Sequence, residues 1–227
     1  MNEPSAAKRT AARAAADLVP NGATLGLGSG STFLLVLERL AERIRTEKLE
    51  LRGAPSSEAT AVAARNAGIT LIDLDEVERL DLAIDGADEV DPQKNLIKGG
   101  GGAHVRERIV AAAAKELVVV IDDKKLVDVL GKAFLLPVEV LPFGWRHTAR
   151  LIEATGCTTK RRETAGEPFV TDNGNFVLDC KYDGIDDPAW LDAHLGGVTG
   201  VVDHGLFVGM AGRVVIGDAS GKVRVLP

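Results

Sequence analysis

Two cysteines in 227 residues are too few for a disulfide framework. Cys157 and Cys180 form no CxxC pair and have no histidine at metal-ligand spacing, so they do not read as a zinc site. Aromatic residues make up only 4% of the chain, too little for a surface on which bases stack. Basic charge is also in deficit. Lys plus Arg number 27 against 33 Asp plus Glu, a net charge of −6 that argues against a general nucleic-acid binder. No apolar run approaches the ~20 residues of a membrane span. The N-terminal MNEPSAAKRTAARAAADLV has no apolar h-region, so no signal peptide is read there. The expectation is a cytoplasmic, reduced, metal-free protein with neither nucleic acid nor membrane as partner.

Glycine is what the chain has in excess, with 25 residues. Against ordinary globular proportions of 45% hydrophobic and 26% charged residues, that excess points to tight turns and close backbone approaches. Hydrophobic spacing predicts a helix from Ser5 to Val19, with Ser5 as N-cap, and a strand over 23–27. A helix over 33–45 and a strand over 51–54 follow. Next come a helix capped by Ser56 or Ser57, a strand over 69–72 and another over 80–84. A short run at 96–98, a helix over 103–115 and the strand LVVVI at 117–121 complete this series. Short apolar strands alternating with amphipathic helices predict an α/β fold with a parallel sheet.

The texture changes near Gly131. A helix over 146–155, a strand near Cys157, a hairpin centred on Asn173-Gly174 and a helix opening at Asp187-Pro188 suggest a small α+β inset. Strands at 205–208 and 213–216 are expected to return to the main sheet. The expected domains are therefore 1–130 with 205–227, and 131–204.

Three glycine-bearing turns each follow a strand, at the edge where open α/β sheets bind ligands. The first is Gly26-Leu27-Gly28-Ser29-Gly30-Ser31-Thr32. Its amides, hydroxyls and helix N-terminus suit an anion. No Lys follows the last glycine as in a P-loop, and Ser31 stands where GxGxxG needs its third glycine. A phosphate monoester fits better than a nucleotide, and an ordinary capped strand–helix turn is the plainer alternative. The second turn, Asp85-Gly86-Ala87-Asp88-Glu89-Val90-Asp91, holds four carboxylates that need a compensating partner. Asp85 and Asp88 are read as facing a site; Glu89 and Asp91 are read as a solvated acidic stretch. The third is Lys98-Gly99-Gly100-Gly101-Gly102, leading to Glu107. Four consecutive glycines imply positive φ or a ligand passing close to the backbone. Lys98 and Glu107 can then converge on one pocket, or form a plain surface ion pair. His104 reads as a polar contact at the helix start.

GLGSGST, DGADEVD and KGGGGA…RE, in this order and spacing, resemble ribose-5-phosphate isomerase of the A type. The resemblance extends to Lys8, Ser56-Ser57, DDKK at 122–125, PVEVLP at 137–142 and TDNGN at 171–175. It implies a Rossmann-like open-sheet domain with a smaller ferredoxin-like α+β domain, assembled as a homodimer or homotetramer. It also implies interconversion of D-ribose 5-phosphate and D-ribulose 5-phosphate in the non-oxidative pentose phosphate pathway, with no metal or organic cofactor. By motif, Ser29, Gly30, Ser31 and Thr32 take the substrate-binding turn, with Ser29 where the family commonly has Thr. Asp85, Gly86, Ala87 and Asp88 match the acidic substrate loop, and Lys98, Gly99, Gly100 and Gly101 the third turn. Glu107 matches the general base. Lys125 matches a further substrate-contacting lysine, and Lys8 one that reaches the phosphate. On this chemistry Lys98 and the glycine-loop amides are the candidates to meet the charge of an enediolate. Asp85 is a candidate acid/base for ring opening with Asp88 positioning hydroxyls, the sequence leaving open which carboxylate opens the ring. A sugar-phosphate deaminase or CoA-transferase of similar fold and a non-catalytic sugar-phosphate sensor are the rival readings. The sensor would need a helix-turn-helix, for which the first 20 residues have no room.

Overall fold

A computed structural model of the chain describes residues 5–227. In chain order the elements begin α1 (Ala6–Asp17), β1 (Ala23–Leu27), α2 (Gly30–Glu47), β2 (Leu51–Pro55), α3 (Glu58–Asn66), β3 (Thr70–Leu71) and β4 (Leu82–Gly86). They continue with β5 (Glu89–Val90), β6 (Leu96–Ile97), α4 (His104–Ala112), β7 (Leu117–Asp122), β8 (Leu136–Val140), α5 (Trp145–Glu153) and β9 (Thr158–Arg161). The last are β10 (Glu163–Thr164), β11 (Glu167–Pro168), β12 (Phe176–Lys181), α6 (Pro188–Gly196), β13 (Val201–His204), β14 (Leu206–Phe207), β15 (Ala211–Gly217) and β16 (Val223–Leu226). Among the described residues, no helix is long and apolar enough to cross a membrane.

Two compact units result: Met1–Ala87 with Arg106–Lys125 and Met210–Pro227, and Asp88–Val105 with Leu126–Gly209. The first unit is built on a seven-stranded sheet of order β16-β15-β7-β4-β1-β2-β3, parallel except for the final β15–β16 pair. Strands covered on both faces read as near-continuous apolar runs, and every residue of β1 and β7 is buried, Thr24 and Asp122 being their polar members. Helix α1 is capped by Ser5, whose side chain accepts from the Lys8 N–H. Its buried stripe of Ala7, Ala11, Ala12, Ala15 and Ala16 packs against β15 and β7. Small residues are required there, because a Cβ at Gly217 would strike the Ala7 carbonyl. Ser57, rather than Ser56, caps α3. Helix α4 ends three residues short of its expected span, because Leu80 bridges to Ala114 and draws that segment alongside the sheet.

The second unit holds a four-stranded antiparallel sheet, β13-β8-β12-β9, and a three-stranded one, β14-β6-β5. Helix α6 starts as expected, with Asp187 accepting from the Trp190 N–H and Pro188 at its first position. The unit's core includes Leu136, Val138, Val140, Leu178 and Ile152. It also contains both cysteines, which are free; a hydrogen bond with Cys180 draws the Cys157 thiol below its ordinary range.

Several expectations are corrected here. Leu206–Phe207 does not return to the main sheet but pairs with Leu96–Ile97. The second unit takes in 88–105, 126–130 and 205–209 beyond the expected 131–204, and this pairing joins the first and last of those segments. The Asn173-Gly174 turn forms, closed by the Thr171 N–H on the Asn175 carbonyl at 2.9 Å, but only Val170 bridges across to Phe176. The main partners of β12 are instead β8 and β9. Strand β8 escaped the sequence pattern because Glu139 interrupts its apolar run. That carboxylate is fully buried, its Oε1 accepting from Thr171, Asn173 and Asn175.

Glu89 and Asp91 are not solvated. Both are buried, at 2% and 4% exposure. Asp91 accepts from the backbone and side chain of Asn95. Glu89 accepts from the N–H groups of Gly131, Ala133 and Phe134 at 2.7, 3.1 and 2.7 Å. Replacing it would orphan three donors at once. Glu89→Ala should therefore lower the urea-derived unfolding free energy by ~3 kcal/mol or more. A change below ~0.5 kcal/mol, typical of a surface substitution, would show that water takes over these donors.

Candidate active site

Strand order reverses between β1 and β4. From β1 the chain builds outward through β2 and β3, then returns to place β4 on the other side, followed by β7. A crevice beyond the carboxyl ends of strands at such a switch point is the preferred ligand position in an open α/β sheet. The residues just past β1 and at the end of β4 are Gly28-Ser29 and Asp85.

They are joined directly. The Gly28 N–H donates to the Ile84 carbonyl at 3.0 Å. The Ser29 N–H donates to Asp85 Oδ1 at 2.9 Å, which also accepts the Gly86 N–H at 2.8 Å. Gly28 is obligatory, since a Cβ there would overlap the Asp85 carboxyl group. Ser29 occupies the N-cap of α2, yet its hydroxyl does not cap the helix. It donates instead to Oε1 of Glu107, in the first turn of α4. Asp85 and Glu107 are 5% and 6% exposed, so one serine links two buried carboxylates. A hydroxyl at this position is thus accounted for in local terms.

Beyond Ser29, Gly30 has φ +77° and open space around its Cα, Ser31 is exposed and Thr32 half-buried. The first amides of a helix lack intrahelical acceptors, so this end presents N–H groups and the positive end of the helix dipole. Sequence reasoning missed the support behind the turn. Thr60 Oγ1 donates to the Gly28 carbonyl at 2.8 Å, and Ser57 Oγ donates to Thr60 Oγ1 at 2.9 Å. Lys125 lies half-buried in the short turn following β7, while its neighbour Lys124 is exposed. Lys8 sits in the first turn of α1, half-buried.

Asp88, Lys98 and the glycine run belong to the second unit. Asp88 Oδ2 accepts the Gly100 N–H at 2.8 Å. Lys98 is 3% exposed, with Nζ 5.6 Å from the centre of the Phe207 ring, whose π-face stabilises a desolvated ammonium. The four glycines serve different ends. Gly99 has φ +96° and lies on the fully buried His104 ring; Gly102 has φ +78° and lies on Phe169. Gly100 abuts the Asp88 carboxylate. Gly101 has an ordinary φ and nothing within 4 Å of a built Cβ. The fold places no steric demand for glycine at 101, where the chain is exposed.

The carboxylates of the acidic segment are matched by backbone and side-chain donors. Among the described residues, no group of three or more His, Cys, Asp or Glu is disposed to hold a metal ion.

Residues 52–221 match the family described as ribose 5-phosphate isomerase A (phosphoriboisomerase A). The chain belongs to this family. It is 52% identical over 222 residues to a protein named ribose-5-phosphate isomerase A from Thermomicrobium roseum, covering 97% of this chain and 93% of the relative. The ribose 5-phosphate isomerase A structure from Methanocaldococcus jannaschii superimposes with a TM-score of 0.91 at 39% identity, over 96% of this chain and 97% of that one. A D-ribose-5-phosphate isomerase solved in complex with phospho-erythronic acid gives 0.93 at 34% identity, over 96% of each chain. The family's fold is thus this chain's fold, a mixed α/β architecture around a mostly parallel sheet.

The Gly28 contact yields a direct test. Gly28→Ala forces its methyl against Asp85 and should destabilise the protein by ~1–3 kcal/mol, the usual range for overpacking. Urea unfolding of the variant measures this, and wild-type stability would mean that Asp85 swings aside at no expense.

Proposed function

We propose that this chain interconverts D-ribose 5-phosphate and D-ribulose 5-phosphate through a cis-enediolate, with Glu107 as the single base. The observation that carries the assignment is the Glu107 carboxylate, buried in the first turn of α4 and held by the Ser29 hydroxyl. Aldose–ketose isomerisation removes a proton from the carbon beside a carbonyl and returns it to the adjacent carbon. One carboxylate on one face of a planar enediolate performs both transfers. A hydrogen bond from the Ser29 hydroxyl to one oxygen of Glu107 orients the carboxylate for that exchange.

The remaining roles follow from residue chemistry. The α2 N-terminus, with Gly30, Ser31 and Thr32, takes the 5-phosphate, and Lys8 adds charge. Asp85 serves ring opening and Asp88 orients sugar hydroxyls. Lys98 and the amides of Gly99, Gly100 and Gly101 meet the negative charge that develops on the substrate oxygens. Donors aimed at such charge are each worth ~2.7–4 kcal/mol. Lys125 is a further substrate contact. The proton moves within one substrate and no electrons leave it, so no redox cofactor is called for; in this reading Lys98 and the loop amides, rather than a metal, meet the oxyanion. A phosphorylated aldonic acid such as phospho-erythronic acid carries a phosphate at one end and a carboxylate resembling the enediolate oxygens at the other. It should therefore compete with substrate.

The enzyme is further proposed to act in the cytoplasm, as a homodimer or homotetramer, within the non-oxidative pentose phosphate pathway. A deaminase, a CoA-transferase and a sugar-phosphate sensor are each disfavoured by near full-length identity of 52% to a protein named as the isomerase.

Two measurements test the mechanism. Glu107→Gln keeps shape and hydrogen bonding but cannot accept the proton. Its kcat should fall at least ~10²-fold with little change in KM, the magnitude of general-base catalysis. Near wild-type turnover would remove Glu107 from the role. Unphosphorylated D-ribose lacks the anion that the α2 terminus would hold. Its kcat/KM should be lower by ~10³-fold or more, because remote binding energy no longer orients the reacting carbons. Comparable efficiency on both sugars would exclude the phosphate cradle.

A further inference from the structure

We propose that Arg162, just beyond β9 in the second unit, is a positioning residue that sets the direction of the glycine-loop amides. The proposal rests on the reading above that these amides meet the substrate. It deepens that reading by naming what holds them.

The Arg162 side chain is only 15% exposed and Asp179, its partner on β12, 17%. Nε donates to Asp179 Oδ2 at 3.0 Å, and Nη2 donates to Oδ1, so the carboxylate is gripped through both oxygens. Nη1 then reaches the glycine run, donating to the Gly99 carbonyl at 3.0 Å and the Gly100 carbonyl at 3.1 Å. The guanidinium lies 5.7 Å from the centre of the Phe169 ring, and Phe169 is the side chain pressed on Gly102. The Arg162 backbone is fixed as well, donating to the Val177 carbonyl and accepting from the Phe169 N–H.

A trans peptide points its C=O and the following N–H in opposite directions. With the Gly99 and Gly100 carbonyls turned to the guanidinium, the N–H groups of Gly100 and Gly101 face away from it. The first of these bears this out, since it donates to Asp88 Oδ2 at 2.8 Å. The second must share that general direction, and it belongs to the one glycine of the run with open space around it and an ordinary φ. Arg162 thereby aims the Gly101 amide toward the side where Asp88 lies. A run of glycines has the most conformational freedom of any segment, so such aim must come from outside the loop. Lysine cannot replace it. A single ammonium lacks the planar fork that grips a carboxylate with one edge and two carbonyls with another tip.

The test compares Arg162→Lys and Arg162→Met with wild type. Thermal unfolding is followed alongside kcat, KM and competitive inhibition by phospho-erythronic acid and by inorganic phosphate. The lysine variant keeps the charge opposite Asp179 and should remain folded, so it carries the test if Arg162→Met does not fold. The expected result is a fall in kcat and a rise in the phospho-erythronic acid inhibition constant, each ~10-fold or more, because misaligned donors serve the enediolate poorly. The inorganic phosphate constant should move less than ~2-fold. Equal weakening toward both inhibitors, or a kcat loss no greater than the unfolded fraction explains, would reduce Arg162 to a structural residue and overturn the proposal. Lys98→Met separates the two levels. If it leaves kcat intact, the reading of the loop as part of the site fails, and the proposal with it. If it abolishes turnover while Arg162→Lys does not, only the role of Arg162 fails.

Discussion

Backbone N–H groups supplying carboxylates are the interaction on which this molecule most depends. The segment 85–91 carries four acidic side chains, all of them provided with donors: Asp85 from Ser29 and Gly86, Asp88 from Gly100, Glu89 from Gly131, Ala133 and Phe134, and Asp91 from Asn95. A buried carboxylate without partners is strongly disfavoured, and amides are uncharged donors whose positions the fold itself fixes. Each carboxylate of the acidic segment thus has at least one donor that the fold itself supplies. Its carboxylates also act as fasteners. Glu89 gathers the 131–134 turn, and Asp85 holds the turn after β1 in place.

Glycine is the complement of that arrangement. Amides approach a carboxylate or a ligand closely only where no side chain intervenes. Gly28 admits the Asp85 carboxyl, and Gly100 admits that of Asp88. Two members of the glycine excess that stood out in composition are thus placed where backbone and carboxylate meet. Ser29 adds a hydroxyl to this scheme, so that one residue uses its N–H for Asp85 and its side chain for Glu107. A carboxylate so held is oriented in advance, and the proposed role of Glu107 as base would draw on that preorganisation.

Much of the main sheet was legible in the sequence for a definite reason. Parallel strands buried on both faces leave unbroken apolar runs such as LVVVI, and helices between them show a regular apolar stripe. Caps were legible too, since Ser5 and Ser57 each accept from an N–H three positions on. The second unit was harder to read. Strand β8 contains a buried glutamate, and β14 is two residues long and finds its partner at Leu96–Ile97. The first does not read as a strand in the sequence, and the second reads as one but points to the wrong sheet, because a strand's partner is not written in its own residues.

The amino-acid sequence by itself determined the α/β alternation, the three glycine turns and the chemical types gathered in them. These depend on local periodicity and on residue identity, both of which are carried within a few positions. Only the tertiary structure decided which carboxylates are buried, that Ser29 joins Asp85 to Glu107, and that Arg162 grips the glycine loop. Those partners lie 56, 78 and 63 residues apart in the chain. A hydrogen-bond donor in the sequence looks the same whether its acceptor is water or a distant side chain. Its meaning is settled only when folding removes the water.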